Sequence, residues 1–341
     1  MNSRFLSGII LLLLLLPVSI LASGEIRLAC EELELKVNPY LAGRVTSLRH
    51  RNGKNILYSA QIDQMSGSFP ELVYNKERFQ RFYGHVMWVG PQSEWWRHQE
   101  IEPQAKAECA VWPPDPYWEF SEFAVVAQGQ DFIILKSPHS PFSGVTMTKN
   151  VQLLPGGKVA LKTTLENTGN KIVKWGLWSN TRIAGDAVVY AWPRPDREFR
   201  FEFSTWEPVT EQPLDYEMDG EFIRLPHRGS WPCTIGGKRT GKLFIRPINP
   251  IMAAFTDGVV FIKKTEIIPL AKIAPGHCQV EIFGEWNCPP VSSFYELEFH
   301  GEYVELAPGQ STSLEETWIV QPAHLPRDDQ ELREFFLHNM K

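Results

Sequence analysis

The residues best suited to chemistry cluster in Tyr83–Trp118, which holds five of the chain's twelve tryptophans: Trp88, Trp95, Trp96, Trp112 and Trp118. His85, Glu94, Arg97, His98 and Glu100 are interleaved with the indoles. Flat apolar rings beside hydrogen-bonding groups are what a sugar cleft requires, the rings taking C–H faces and the polar groups taking hydroxyls. The same tryptophans could instead fill a large β core, since Trp is usually well buried. Further along stand carboxylates on strand-like segments, Glu281, Glu285, Glu296 and Glu298. A pair of carboxylates, or a Glu–His pair, suffices to move protons on a sugar. Strict alternation places Glu296 and Glu298 on one face of a strand, either a solvated face or part of a site. It also places Trp178, Asn180 and Arg182 together.

Other chemistries lack their motifs. There is no Gly-x-Gly-x-x-Gly, no phosphate loop, no Gly-x-Ser-x-Gly and no His-Glu-x-x-His, so no nucleotide cofactor is expected. The five cysteines fit no zinc spacing and no metal site is expected; Cys278 and Cys288 are the only close pair. The formal charge of −6, without lysine–arginine runs, gives no support to nucleic-acid or anionic-membrane binding.

The elements that must position these residues are strands. Ile26–Val37, Arg44–Leu48, Phe120–Ala127, Phe132–Lys136, Val145–Leu154, Lys158–Glu166 and Val173–Ile183 alternate. Lys242–Arg246, Met252–Thr265, Cys278–Trp286, Phe294–Leu306 and Ser311–Val320 continue the pattern. Turn signals at Asn52–Gly53, Pro155–Gly157, Asp257–Gly258 and Pro308–Gly309 separate them. Gly84, Gly90 and the prolines at 91, 113, 114 and 116 exclude a long helix from the tryptophan-rich stretch. Only Asp328–Met340 reads as helix, with an acidic start and Leu332, Phe335 and Phe336 at helical spacing. The expectation is an all-β chain of about fifteen or more strands in one domain, residues 25–341, with a short C-terminal helix.

Residues 1–24 read as a secretory signal: Arg4, an apolar run from Ile9 to Leu21, then Ala22, Ser23 and Gly24. Cleavage there predicts a secreted or periplasmic protein without stable membrane insertion, an uncleaved N-terminal anchor being the alternative. Nothing in the sequence fixes an oligomeric state.

The segment VNPYLAGRVTSLRHRNGKNILY at 37–58 resembles the opening of the galactose mutarotase-like superfamily. HVMWVGPQSEW at 85–95, WPPDP at 112–116, LENTGNKIVKWGLWSNTRI at 165–183, CTIGGKRTGKLFI at 233–245 and residues 295–320 resemble one branch of it, a family of domains of unknown function. The resemblance runs in order over nearly the whole mature chain. It implies a galactose mutarotase-like β supersandwich whose concave face binds carbohydrate. In aldose 1-epimerases two histidines and a late glutamate perform the reaction. By resemblance His85 lies near the first histidine. Trp178–Ser179–Asn180–Thr181 stands where the second belongs, without a histidine. Glu281 or Glu296 could supply the glutamate, and Glu281 is preferred because the apolar setting VEIF should raise its pKa.

Together these readings make His85 and Glu281 the candidate acid–base pair and Glu94, Trp95, Trp178, Asn180 and Arg182 the candidate carbohydrate contacts, all on one concave surface. Arg182 would suit a charged sugar. Three functions follow: a carbohydrate-binding protein, an epimerase variant, or a structural protein whose tryptophans are all core.

Overall fold

Asp257–Gly258 forms the hairpin its sequence announces, with φ of +47° and +76° at the two positions. It joins Pro247–Thr256 (β15) to Val259–Thr265 (β16). At Gly157 (φ +70°) a side chain would meet the Val320 carbonyl at 2.2 Å, so glycine is obligatory in the turn that joins Val145–Leu154 (β7) to Lys158–Asn167 (β8). Repeated, such turns build two ten-stranded antiparallel sheets in a computed structural model that describes residues 24–59, 72, 79–194, 199–202, 216–227, 239–287 and 292–340. The proposed signal segment and the possible Cys278–Cys288 pair fall wholly or partly outside these residues. Cys30 and Cys109 are free thiols.

Sheet 1 runs, in spatial order, through Ile26–Ala29 (β1), Leu33–Asn38 (β2), Arg44–His50 (β3), His85–Gly90 (β4) and Val173–Ala184 (β9). It continues through Phe294–His300 (β18), Val280–Trp286 (β17), Arg239–Ile245 (β14) and Phe199–Glu202 (β11), with Val304–Leu306 (β19) paired to one end of β9. Sheet 2 orders Glu217–Asp219 (β12), Phe222–Leu225 (β13), Val188–Pro193 (β10), β15, β16, Ser311–Pro322 (β20), β8, β7, Phe132–Lys136 (β6) and Ala124–Gln128 (β5).

Between the sheets lies the main core, including Leu177, Ile183, Leu243, Ile282, Leu297, Phe261 and Trp318. The opposite face of sheet 2 is not left to water. Tyr190, Trp192, Phe222, Phe255 and Ile262 pack there against Leu332 and Phe336 of the C-terminal helix Asp329–Met340 (α3). Two further helices, Pro103–Ala107 (α1) and Tyr117–Phe120 (α2), are single turns in the tryptophan-rich stretch. Among the described residues no helix is long and apolar enough to cross a membrane.

Two strands expected as continuous are broken. Ile26–Val37 turns back on itself, Ala29 pairing with Glu34, at Cys30–Glu32, which holds no glycine, proline or asparagine and shows itself only as a one-residue change in the phase of the apolar positions. Phe294–Leu306 stops at His300, where Gly301 N–H bonds Leu177 O and the chain leaves sheet 1 before β19.

Candidate functional site

Sheet 1 has an inner face toward sheet 2 and an outer face, and strand register decides which residues reach each. Antiparallel partners share a face, so the pairs Trp88–Trp178, Asn180–Glu298 and Arg182–Glu296 put β4, β9 and β18 side chains together on the outer one. The pairs Glu281–Glu298 and Phe244–Glu281 extend this face across β17 and β14. Its centre is Lys242, whose Nζ lies 2.7 Å from Glu281 Oε2 and 2.6 Å from Glu298 Oε2. Trp178 Nε1 donates to the same Glu298 oxygen at 2.9 Å. Beside it Asn180 Nδ2 and Arg182 Nε donate to the two oxygens of Glu296 at 2.8 and 2.7 Å. Arg182 also lies over the Trp88 ring.

His277 and His300 complete the group. His277 sits in the turn before β17, its N–H bonded to Ala274 O, and its Nδ1 donates to Glu281 Oε1 at 2.9 Å. Cys278 N–H holds that oxygen too, at 3.0 Å. His300 ends β18 and stacks on Trp178 with ring centroids 5.3 Å apart. Its Nε2 is 3.2 Å from Glu281 Oε2, without hydrogen-bond alignment. Trp178, Glu281, Glu298 and His300 are all buried. The face reaches solvent through Lys242, His277 and Glu296, whose side chains are 17, 14 and 13 % exposed.

Burial pushes Glu298 up, Lys242 opposes it, and the neighbouring Glu296 and Glu281 push further, to about 8. Glu281 goes the other way. Burial alone would raise it, but His300, Lys242 and His277 hold it well below the usual carboxylate range. Burial lowers His300 to about 4. A protonated carboxyl thus stands beside an ionised one, the separation of environments that acid–base sites use. Three polar atoms of this cluster, Asn180 Oδ1, Glu298 Oε1 and His300 Nε2, make no hydrogen bond among the described residues, and Glu281 Oε2 has only the Lys242 ammonium.

Of the residues singled out in the sequence, Trp178, Asn180, Arg182 and Glu281 share the outer face. Trp95 packs beside them, 6.0 Å from Trp178 and 5.9 Å from Trp88, its Nε1 donating to Val89 O. Glu94 points elsewhere, bound by Tyr303 Oη at 2.6 Å and Arg97 at 2.9 Å. His85 must be corrected. It pairs with Thr181, an inner-face position, bonds Thr181 Oγ1 at 3.0 Å, and stands edge-on to Trp318 of sheet 2. Burial and the cations Lys263, Lys149, Arg44 and Arg182 depress its pKa well below the usual histidine value, so it is a neutral interior group. Glu281 is lowered rather than raised, because three basic groups outweigh its apolar flanks. Arg182 already has a carboxylate partner in Glu296. Trp178, only 4 % exposed, is the floor of the site rather than an open platform.

Sequence reasoning missed Lys242, His277 and His300, and left Glu298 undecided. His300 extends the Glu296–Glu298 alternation by one more step, a signal that was legible; His277, in a turn, carries none. The absence of any metal spacing in the sequence likewise conceals His277, Glu281 and His300, which converge in space.

A family model described as "Domain of unknown function (DUF4380)" matches residues 24–321. A search of curated proteins gave no match. Among solved structures, a galactose mutarotase-like protein from Lactobacillus casei aligns over 87 % of this chain and 100 % of its own, at 11 % identity and TM-score 0.54. The GalM/aldose epimerase homologue from C. elegans aligns over 88 and 99 %, at 10 % identity and TM-score 0.54. A TPR-domain containing protein from Parabacteroides distasonis aligns over 89 % of this chain at 16 % identity and TM-score 0.52, and this chain spans about half of it, 48 %. At these identities the likeness shows the fold alone: a galactose mutarotase-like β sandwich.

Proposed function

The chain belongs to the DUF4380 family, a domain of unknown function, and from that premise we propose that it is an exported carbohydrate-binding protein whose ligand sits on the outer face of sheet 1. The observation that carries this reading is the set of three buried polar atoms without hydrogen-bond partners among the described residues, Asn180 Oδ1, Glu298 Oε1 and His300 Nε2, gathered around Trp178 and opening to solvent through Lys242, His277 and Glu296. Buried polar groups are nearly always bonded, so such a concentration marks where an external donor or acceptor belongs. A sugar offers hydroxyls that serve as both, and the half-buried Phe283 on the same face of β17 offers a ring. The N-terminal signal pattern supports export.

A second reading is supported by the opposed carboxyls. Glu298, protonated near neutrality, can donate from Oε1, and ionised Glu281 can accept. These are the two groups needed to open a hemiacetal ring.

A panel of neutral and acidic sugars tested by thermal shift and tryptophan fluorescence decides the first reading. The expected result is a rise in Tm with at least one sugar, lost in Glu296→Gln and Lys242→Gln. A protein indifferent to every sugar, or variants that respond like the parent, would sink it. Recovery of exported protein beginning near Glu25 checks the location.

A further inference from the structure

One ring nitrogen each of His277 and His300 and a carboxylate oxygen of Glu281 lie within 4.8 Å of one another. We propose that these three side chains bind a divalent transition metal of the zinc class on the outer face of sheet 1. Two imidazole nitrogens and one carboxylate oxygen are a ligand set that such ions accept while keeping a coordination position open. The two His–Glu distances are close to what coordination needs, and within a set that spans up to 4.8 Å the ligands close slightly on an ion. Bonds of about 2.0–2.1 Å in a tetrahedral site put ligand atoms about 3.3 Å apart. Here His277 Nδ1 is 2.9 Å from Glu281 Oε1, and His300 Nε2 is 3.2 Å from Glu281 Oε2.

A plain His–Glu–His hydrogen-bond chain would account for the His277 contact but not for His300. That ring is 3 % exposed and its Nε2 makes no hydrogen bond among the described residues, while the Glu281 oxygen nearest it is held only by the Lys242 ammonium. Packing, rather than hydrogen bonding, orients the two imidazoles: they lie 4.6 Å apart, and both border Trp178. The Cys278 N–H on Glu281 Oε1 fixes the carboxylate as an outer-sphere partner fixes a ligand. Lys242 is the competitor, at 2.7 Å from Glu281 Oε2. It is shared with Glu298, 2.6 Å away, so an ion on Glu281 leaves the ammonium a carboxylate to pair with. Such an ion removes Glu281 from any role as base and leaves the carbohydrate reading as it stands, which the cation does not need.

Purified protein stripped with EDTA and titrated with Co²⁺ and then Zn²⁺, without sugar, tests the proposal. One equivalent should bind, with cobalt d–d absorption and no thiolate charge-transfer band. His300→Asn and Glu281→Gln should weaken binding roughly 10- to 100-fold or more, a loss that even outer partners of metal ligands produce. Both positions are buried, so a folding failure there is covered by His277→Asn at the mouth of the site, which should give the same loss with unchanged circular dichroism. Lys242→Gln should tighten binding. No uptake of either ion, a thiolate spectrum, or parental affinity in folded His277→Asn would overturn it. Sugar shifts measured in EDTA separate the two readings. A sugar response without cobalt uptake overturns the cation alone, and cobalt uptake without any sugar response supports the cation and overturns the carbohydrate reading.

Discussion

On the inner face of sheet 1, Lys263 reaches from β16 to donate to Ser179 Oγ at 2.7 Å and Leu297 O at 2.9 Å, with Glu316 3.4 Å away. On the outer face of the same strands, Lys242 bridges Glu281 and Glu298. Both lysines lie in charged groups that are largely out of water, yet the surroundings differ. The inner cations are clamped: Lys149 by Ala42 O, Lys263 by three oxygens. Glu316 Oε1 does lack a hydrogen-bond partner there, but singly. Outside, the unpartnered atoms are neighbours. Buried charge with its bonds made is architecture; buried polar atoms left open together, beside a route to solvent, are a place for a ligand.

The largest effect that can break this distinction is expected inside. Lys263→Met leaves Glu316 buried without its cation, although Trp318 Nε1 still donates to it at 3.1 Å. Removing one partner of a buried ion pair costs about 3–5 kcal/mol, which urea unfolding would register. Ligand affinity should be unchanged. Lys242→Met should cost less stability, since Glu298 can stay protonated and Glu281 keeps the His277 and Cys278 donors, and should abolish sugar binding. If the two lysines exchanged these phenotypes, the assignment of the faces would be reversed.

Acid–base titration gives a second contrast, with opposite signs on the two faces. Glu298 is raised from 4.5 to about 8, so between these values the folded state holds a proton that the unfolded state has lost. Its contribution is full below pH 4.5 and is lost as pH rises through 8. Lys149 on the inner side is lowered from 10.5 to about 7, mainly by burial. Between 7 and 10.5 the unfolded state binds the extra proton, so this contribution grows with rising pH. Urea midpoints followed across both windows should fall less steeply in Glu298→Gln and rise less steeply in Lys149→Met. Slopes identical to the parent's in both variants would show that neither group carries a shifted proton.

Local chemistry explains how much of this was legible. Hairpins announce themselves by residues that tolerate positive φ, so Asp257–Gly258 and Gly156–Gly157 framed strands β15, β16, β7 and β8 close to their observed ends. The turn at Cys30–Glu32 carries no such residue and shows only in the phase of the apolar positions. Within one strand, alternation alone groups Trp178, Asn180 and Arg182. Between strands it says nothing, because a one-residue change of register turns every side chain over. Resemblance sets the strand of His85 beside the strand of Trp178, as β4 and β9 are, but the register puts Trp88 opposite Trp178 and turns His85 inward. The sequence neighbours of Glu281 predict a raised pKa, whereas His300, Lys242 and His277, which only the fold delivers, hold it low.

The smallest expected effect concerns Glu94, which the sequence grouped with the site. Its carboxylate accepts from Tyr303 Oη at 2.6 Å and pairs with Arg97, whose side chain is 47 % exposed. Neither partner belongs to the outer-face cluster, and exposed ion pairs are worth about 0.2–1 kcal/mol. Glu94→Gln keeps an acceptor for the Tyr303 hydroxyl and removes only the charge. It should therefore change stability by less than about 1 kcal/mol, lower the raised Tyr303 pKa toward its ordinary value, and leave ligand affinity alone. A spectroscopic titration of tyrosine, run beside a sugar-binding measurement, checks both halves. Loss of sugar binding in this variant would mean that the ligand extends past Trp95 to the turn at Gln92–Glu94, making the site larger than the outer face of sheet 1.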